Sequence, residues 1–90
     1  MKHHQENYAL KIFKNLANAN RIKIIKLLAT KKNITVNQIC DELGLEQGKV
    51  SNHLAKMRSD GILTAKQDGW NMYYSIKDEN SVKILSLLIK

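Results

Sequence analysis

Residues 34–61 read ITVNQICDELGLEQGKVSNHLAKMRSDG, and the punctuation of this stretch decides the fold. Thr35 and Gln38 stand three apart, the spacing at which a hydroxyl caps a helix's first turn and an amide reciprocates. Ile39 and Leu43 form the buried stripe of that short helix. Gly44 supplies a left-handed stop, and Leu45 leads into a second helix of roughly residues 47–59. In that second helix Val50, Leu54 and Met57 recur at spacings of four and three, so a single stripe turns inward. Asp60 and Gly61 end it. Two helices joined by a tight glycine turn make a helix-turn-helix.

Upstream, two more helices are expected. The first, about Glu6 to Ala17, carries Tyr8, Ile12 and Leu16 on one stripe and Leu10, Phe13 and Ala17 on another, an apolar face wider than one packing seam. Asn18 can cap the next, whose Ile22, Ile24, Ile25, Leu27 and Leu28 point most of the way round, as in a helix surrounded by neighbours. Lys31, Lys32 and Asn33 break the pattern. Downstream, ILTAKQ and WNMYYSI read as strands joined at Asp68 and Gly69, a strong hairpin signal. Trp70, Met72, Tyr74 and Ile76 then face inward, while Asn71, Tyr73 and Ser75 face out. Asp78 caps a last helix in which Val82, Ile84, Leu85, Leu87, Leu88 and Ile89 cover over half the circumference. The fold class is mainly α with a small β-hairpin: a winged helix-turn-helix of four helices, a hairpin and a fifth helix, read as one domain over residues 1–90.

Composition narrows the function. Fifteen Lys and Arg against eight Asp and Glu give a balance of +7 in 90 residues, which favours a polyanion as partner. No apolar run approaches the ~20 residues of a membrane span, and the first ten residues lack a secretory apolar region, so a cytoplasmic protein is expected. One cysteine, Cys40, cannot close an internal disulfide or build a cysteine-rich zinc site. No nucleophile elbow, phosphate loop or paired carboxylates occur, which argues against an enzyme.

The helix of residues 47–59 is the candidate reader of double-stranded DNA. With its apolar stripe inward, Gly48, Lys49, Ser51, Asn52, Ala55 and Lys56 fall on the outer half and Gln47 at the exposed start. Asn52 or Gln47 can pair with adenine through two hydrogen bonds, Ser51 can serve a base or a phosphate, and Gly48 permits close approach. Lys49 and Lys56 suit phosphates or guanine. In the wing, Lys66, Gln67 and Asn71 can reach the minor groove or its phosphates, and Trp70 either stacks on the sugar edge or folds back on the hairpin. Wide apolar faces on the first and last helices suggest a homodimer through Tyr8, Ile12, Leu16, Val82, Leu85, Leu88 and Ile89. The competing reading is a winged module that binds protein or only dimerises; an acidic or apolar outer face would favour it, and this one is basic and polar.

The ordered set LANANRIKIIKLL, ICDELGLEQGKVSNHLAKMRSDGIL and DGWNMYYSI resembles the ArsR/SmtB family of prokaryotic winged helix-turn-helix repressors, over nearly the whole chain. The resemblance implies a dimer through the first and last helices, operator binding by the helix after Gly44, and often release by a metal ion or another inducer. It matches His53 to a recognition-helix histidine, with a packed imidazole and a DNA contact both open. It matches Arg21 to an arginine that either touches phosphate or stays solvated or ion-paired. Where many relatives carry a basic wing residue, this chain has Trp70.

The family's sensing sites are replaced. A cysteine pair at the start of the third helix corresponds here to Thr35 and Asn37, neither a soft ligand. Cys40 matches a third cysteine of some members and is either a packed side chain or a redox or intersubunit thiol. The site across the final helices begins with an aspartate and a histidine; Asp78 matches, Asn80 replaces the histidine, and the sequence reaches Lys90 before a second pair. No cofactor is expected, apart from a weak copper or nickel chelate by the amino terminus through His3, with His4 beside it.

Overall fold

Side chains close the open amide ends of three helices. The computed structural model describes residues 3–89, with side chains from Gln5 to Ile89. Helix α1 spans His3–Leu16, beginning a turn earlier than expected. Helix α2 spans Ala19–Thr30, and Asn18 Oδ1 accepts from the amides of Asn20 (3.0 Å) and Arg21 (3.2 Å) at its start. Helix α3, Val36–Leu43, opens on the capping box: Gln38 N–H donates to Thr35 Oγ1 at 3.2 Å and Thr35 N–H to Gln38 Oε1 at 2.8 Å. Gly44 closes α3 at φ 66, its N–H donating to Cys40 O. An L side chain is strained there, which is why this turn needs glycine. Helix α4 spans Gln47–Ser59 and buries Val50, Leu54 and Met57.

The hairpin corrects the expected turn. Strand β1 is Leu63–Asp68 and strand β2 is Asn71–Ile76, antiparallel, with Asp68 paired to Asn71. The loop is therefore Gly69 and Trp70. Gly69 has φ 63 while Trp70 is not among the positive-φ residues, the pattern of a II′ turn with glycine first. Trp70 leaves the strand for the tip, so it joins neither face of β2. Both faces of β2 are partly covered, because the turn before α3 clamps the strand: Ile34 and Tyr74 exchange backbone hydrogen bonds of 3.3 and 2.8 Å. Ser75 Oγ donates to Asn33 Oδ1 at 2.8 Å. That bridge was not anticipated. Asn33 reaches it in the left-handed region, φ 57, which asparagine tolerates better than most.

Helix α5, Glu79–Leu88, is capped by Asp78 Oδ1, which accepts from Asn80 N–H at 3.0 Å. One apolar cluster draws Ile12 from α1, Ile24, Ile25 and Leu28 from α2, Ile39 from α3, the α4 stripe, Leu63 from β1 and Leu85 from α5. Helix α2 is central, as its all-round apolar pattern predicts. Among the described residues no helix is long and apolar enough to cross a membrane.

Candidate nucleic-acid interface

Because Val50, Leu54 and Met57 are fully buried, helical geometry presents the opposite half of α4 to solvent. Gln47, Gly48, Lys49, Ser51, Asn52, Ala55 and Lys56 are all exposed, the set expected from spacing. Lys56 Nζ lies 3.5 Å from Asp60 Oδ1 one turn on. This surface is polar and basic, with the small residues Gly48, Ser51 and Ala55 set among the longer side chains.

His53 and Arg21 do not belong to that face in the same way. His53 is half-buried, and Arg21 Nε–H donates to its Nδ1 at 3.1 Å, which leaves Nε2 as the protonated nitrogen of the neutral ring. Burial, then the positive charges of Arg21 and Lys49, push the His53 pKa below the ordinary histidine value. The second Arg21 bond runs from Nη1 to Asn15 Oδ1 at 3.2 Å. Asn15, fully buried on α1, donates in turn to Asp60 Oδ2 at 3.0 Å and to the Lys11 carbonyl at 2.6 Å. A polar chain therefore joins α1, the start of α2 and both the middle and the end of the recognition helix. Sequence reasoning missed Asn15 and Asp60. The legible signal was a polar residue between Ile12 and Leu16 on the inward stripe, since an uncharged amide at a core position requires partners.

In the wing, strand alternation separates residues that sequence grouped together. Lys66 pairs with Tyr73 and Gln67 with Met72, so the two lie on opposite faces of the hairpin. Asn71 is exposed beside the tip, and Trp70 is 101% exposed. The expectation that the indole folds back on the hairpin is overturned: a two-residue turn gives it nothing to fold onto. Trp70, Asn71 and Met72 border a shallow depression whose other wall is Thr35, Val36, Asn37 and Gln47, so wing and recognition helix share one surface.

The candidate dimer surface is partly reassigned. Ile12 and Leu85 are 2% and 5% exposed, held in the subunit's own core. Leu16 and Val82 are half-buried. Large apolar side chains remain in solvent at Tyr8, Leu10 and Phe13 of α1 and at Leu87, Leu88 and Ile89 around the end of α5. Tyr8 is also a clasp. Its hydroxyl donates to Asp78 Oδ2 at 2.7 Å and accepts from Asn80 Nδ2 at 2.9 Å. The Asn80 bond lowers the Tyr8 pKa, and Asp78 with burial outweighs it, so the phenol titrates above its usual value. Both Asp78 oxygens are thus engaged at the position where the resembled family begins a metal site. Among the described residues no three His, Cys, Asp or Glu side chains gather as metal ligands. The amino-terminal chelate through His3 and His4 lies outside the described side chains. Cys40 is half-buried and packs against the core.

The model of the arsR family of bacterial regulatory proteins matches residues 18–65, from the cap of α2 into the wing. An HTH-type transcriptional regulator of Methanocaldococcus jannaschii, MJ1325, is 39% identical over 71 residues, 78% of this chain and 80% of that protein. The transcriptional repressor PagR of Bacillus anthracis is 38% identical over 77 residues, 86% of this chain and 77% of PagR. The PagR crystal structure superposes with a TM-score of 0.86 at 33% identity, covering 97% of this chain and 99% of that one. The homodimeric winged helix-turn-helix DNA-binding domain of Mb0332 from Mycobacterium bovis gives 0.82 at 25% identity, covering 98% and 83%.

Proposed function

This chain belongs to the ArsR family of bacterial regulatory proteins and is a winged helix-turn-helix, DNA-binding transcriptional regulator, and we propose that it acts as a homodimeric repressor. Residues 1–90 form one DNA-binding domain. It acts in the cytoplasm by occupying an operator, without catalysis and without a required cofactor. Helix α4 lies in the major groove. Asn52 and Gln47 read base edges, Ser51 contacts a base or phosphate, Gly48 lets the backbone approach, and Lys49 and Lys56 hold phosphates. Lys66, Gln67 and Asn71 serve the adjacent minor groove. Arg21 and His53 brace α4 from behind, and their hydrogen bond is the support for that role.

The observation that carries this reading is the outer half of α4, uniformly exposed, polar and basic, seated on a fully buried apolar stripe beside the wing. Exposed apolar side chains on α1 and α5 support dimerisation through those helices, which would set two recognition helices one DNA turn, about 34–36 Å, apart. Selection from a random duplex pool, followed by binding to the enriched site and to an unrelated duplex, tests it. The enriched site is expected to bind about a thousandfold tighter or more at physiological salt. Equal affinity for both would leave only a nonspecific or protein-binding module.

A further inference from the structure

We propose that Trp70 is a base-reading residue: its indole enters the minor groove edge-on and selects A·T pairs beside the sequence read by α4. This rests on the DNA-binding function above and adds a second, independent reader to it.

The placement is the first argument. Tryptophan carries one of the largest apolar surfaces of any side chain, and in folded proteins that surface is mostly covered. Here it is fully in solvent at the outermost point of the hairpin, one of only two residues in the loop. The tip has little slack, since Asp68 pairs with Asn71 directly behind it and Gln67 Nε2 donates across the turn to the Gly69 carbonyl at 3.4 Å. The depression between Trp70 and Gln47 has neutral walls and separates the wing from the recognition helix. With α4 in the major groove, one sugar–phosphate strand must occupy that gap, and the next surface reached by Trp70 is the minor groove.

Chemistry is the second argument. The tip is a poor phosphate anchor, because Asp68 on the same face as Lys66 opposes that lysine's charge. The minor groove, about 6 Å wide, admits a flat ring by its edge, with the faces against the deoxyribose walls. Its floor offers only acceptors at A·T pairs, adenine N3 and thymine O2, whereas G·C adds the guanine N2 amino donor. Indole has one donor, Nε1–H, and no acceptor. It therefore complements A·T and meets donor with donor at G·C.

Trp70 is the sole tryptophan, so emission excited selectively at the indole, beyond tyrosine absorption, reports this residue alone. The test uses the duplex selected by the wild-type protein, with binding followed by anisotropy of a labelled strand. On binding, Trp70 emission is expected to shift and its quenching by acrylamide to fall. Changing the flanking A·T pairs to G·C should weaken binding about fivefold or more, and inosine·cytosine should restore it, since inosine lacks the N2 amino group but keeps the major-groove face of guanine. W70A should bind all three duplexes alike and an unrelated duplex within twofold of wild type. W70K should bind every duplex more tightly than W70A does, with a steeper salt dependence and no flank preference. Bound complexes in which Trp70 stays fully quenchable, inosine·cytosine behaving as G·C, or a flank preference retained by W70A would each overturn the proposal while leaving the regulator intact. Failure of the wild-type protein to bind any duplex would overturn both.

Discussion

The Arg21 guanidinium on α2 and the His53 imidazole on α4 are joined by a 3.1 Å hydrogen bond from Nε to Nδ1, which exists only while His53 is neutral at that nitrogen. Arg21 is tied at its other end to Asn15, so the orientation of the recognition helix is connected to a buried amide on the first helix. The connection makes the posture of α4 sensitive to groups that never touch DNA.

His53 gives a pH dependence of known sign. Burial and the charges of Arg21 and Lys49 lower its pKa from 6.5, so the unfolded chain binds a proton more readily than the folded one. Stability contributed by the neutral ring is complete above that value and declines as pH falls from there toward the folded pKa. Urea unfolding from neutral to about pH 5 should show a shallower decline for His53→Gln than for wild type. Parallel pH profiles for the two would contradict the assignment.

Asn15→Leu keeps the volume of a core position but takes partners from Arg21 Nη1 and from Asp60 Oδ2. A loss of about 1 to 3 kcal/mol in unfolding free energy is expected, the usual cost of stranded polar groups. Chemical denaturation measures it, and a neutral or stabilising effect would mean that water replaces the amide without penalty.

Variants of Asn52 and Lys49 test the proposed division between reading and anchoring. Asn52→Ala should cost roughly 1 to 3 kcal/mol on the selected operator and little on unrelated duplex. Lys49→Ala should weaken both duplexes alike and reduce the slope of log affinity against log salt by about one charge. Equal losses on both duplexes for Asn52→Ala would remove its base contact.

Dimerisation is expected to be separable from folding, because one α5 leucine is exposed and another is buried. Leu88 is 77% exposed, so Leu88→Lys should leave the fold intact, yield monomers in sedimentation and lower operator affinity. Leu85→Lys places a charge in the core and should unfold the subunit. A Leu88→Lys protein that remains dimeric would place the interface elsewhere.

Zinc, cadmium and arsenite should change operator affinity by less than about fivefold, the low end of allosteric coupling. Thr35, Asn37 and Asn80 stand where ligands would be required, and Asp78 is held by the Asn80 amide and the Tyr8 hydroxyl. Titration of each metal into the protein–operator complex decides this, and a response abolished by replacing His3 and His4 would identify the amino terminus as the sensor.

The elements whose boundaries are set by local chemistry were legible in the sequence. Asn18, Thr35 with Gln38, Gly44 and Asp78 each cap or stop a helix through residues no more than four away, and the structure uses them as the spacing requires. The outer face of α4 was equally plain, because Val50, Leu54 and Met57 fix which side is inside. What the sequence obscured depends on long-range pairing. Asp68–Gly69 reads as the turn until the register of the whole hairpin moves it by one residue and puts Trp70 at the tip. Wide apolar faces on α1 and α5 signal two neighbours, but periodicity alone does not say that Ile12 and Leu85 go to the subunit's own core while Leu10, Phe13 and Leu87 stay outside. Asn15, Arg21, His53 and Asp60 meet only once three separate helices are packed.

The bridge between Ile34 and Tyr74 fastens the stretch leading into α3 to the second strand of the wing, and Asn33 with Ser75 fastens it again. A hairpin hinged only at its ends can swing to suit whatever duplex it meets, whereas the body-side half of this one is stitched at Tyr74 and Ser75 to the segment that leads into α3. That fastening restrains the base of the wing relative to α4. To the extent that the wing holds its place, DNA whose grooves already match that spacing would bind without bending and any other sequence would be deformed at a cost set by its own stiffness, a route by which elasticity would enter operator choice at positions no side chain reaches.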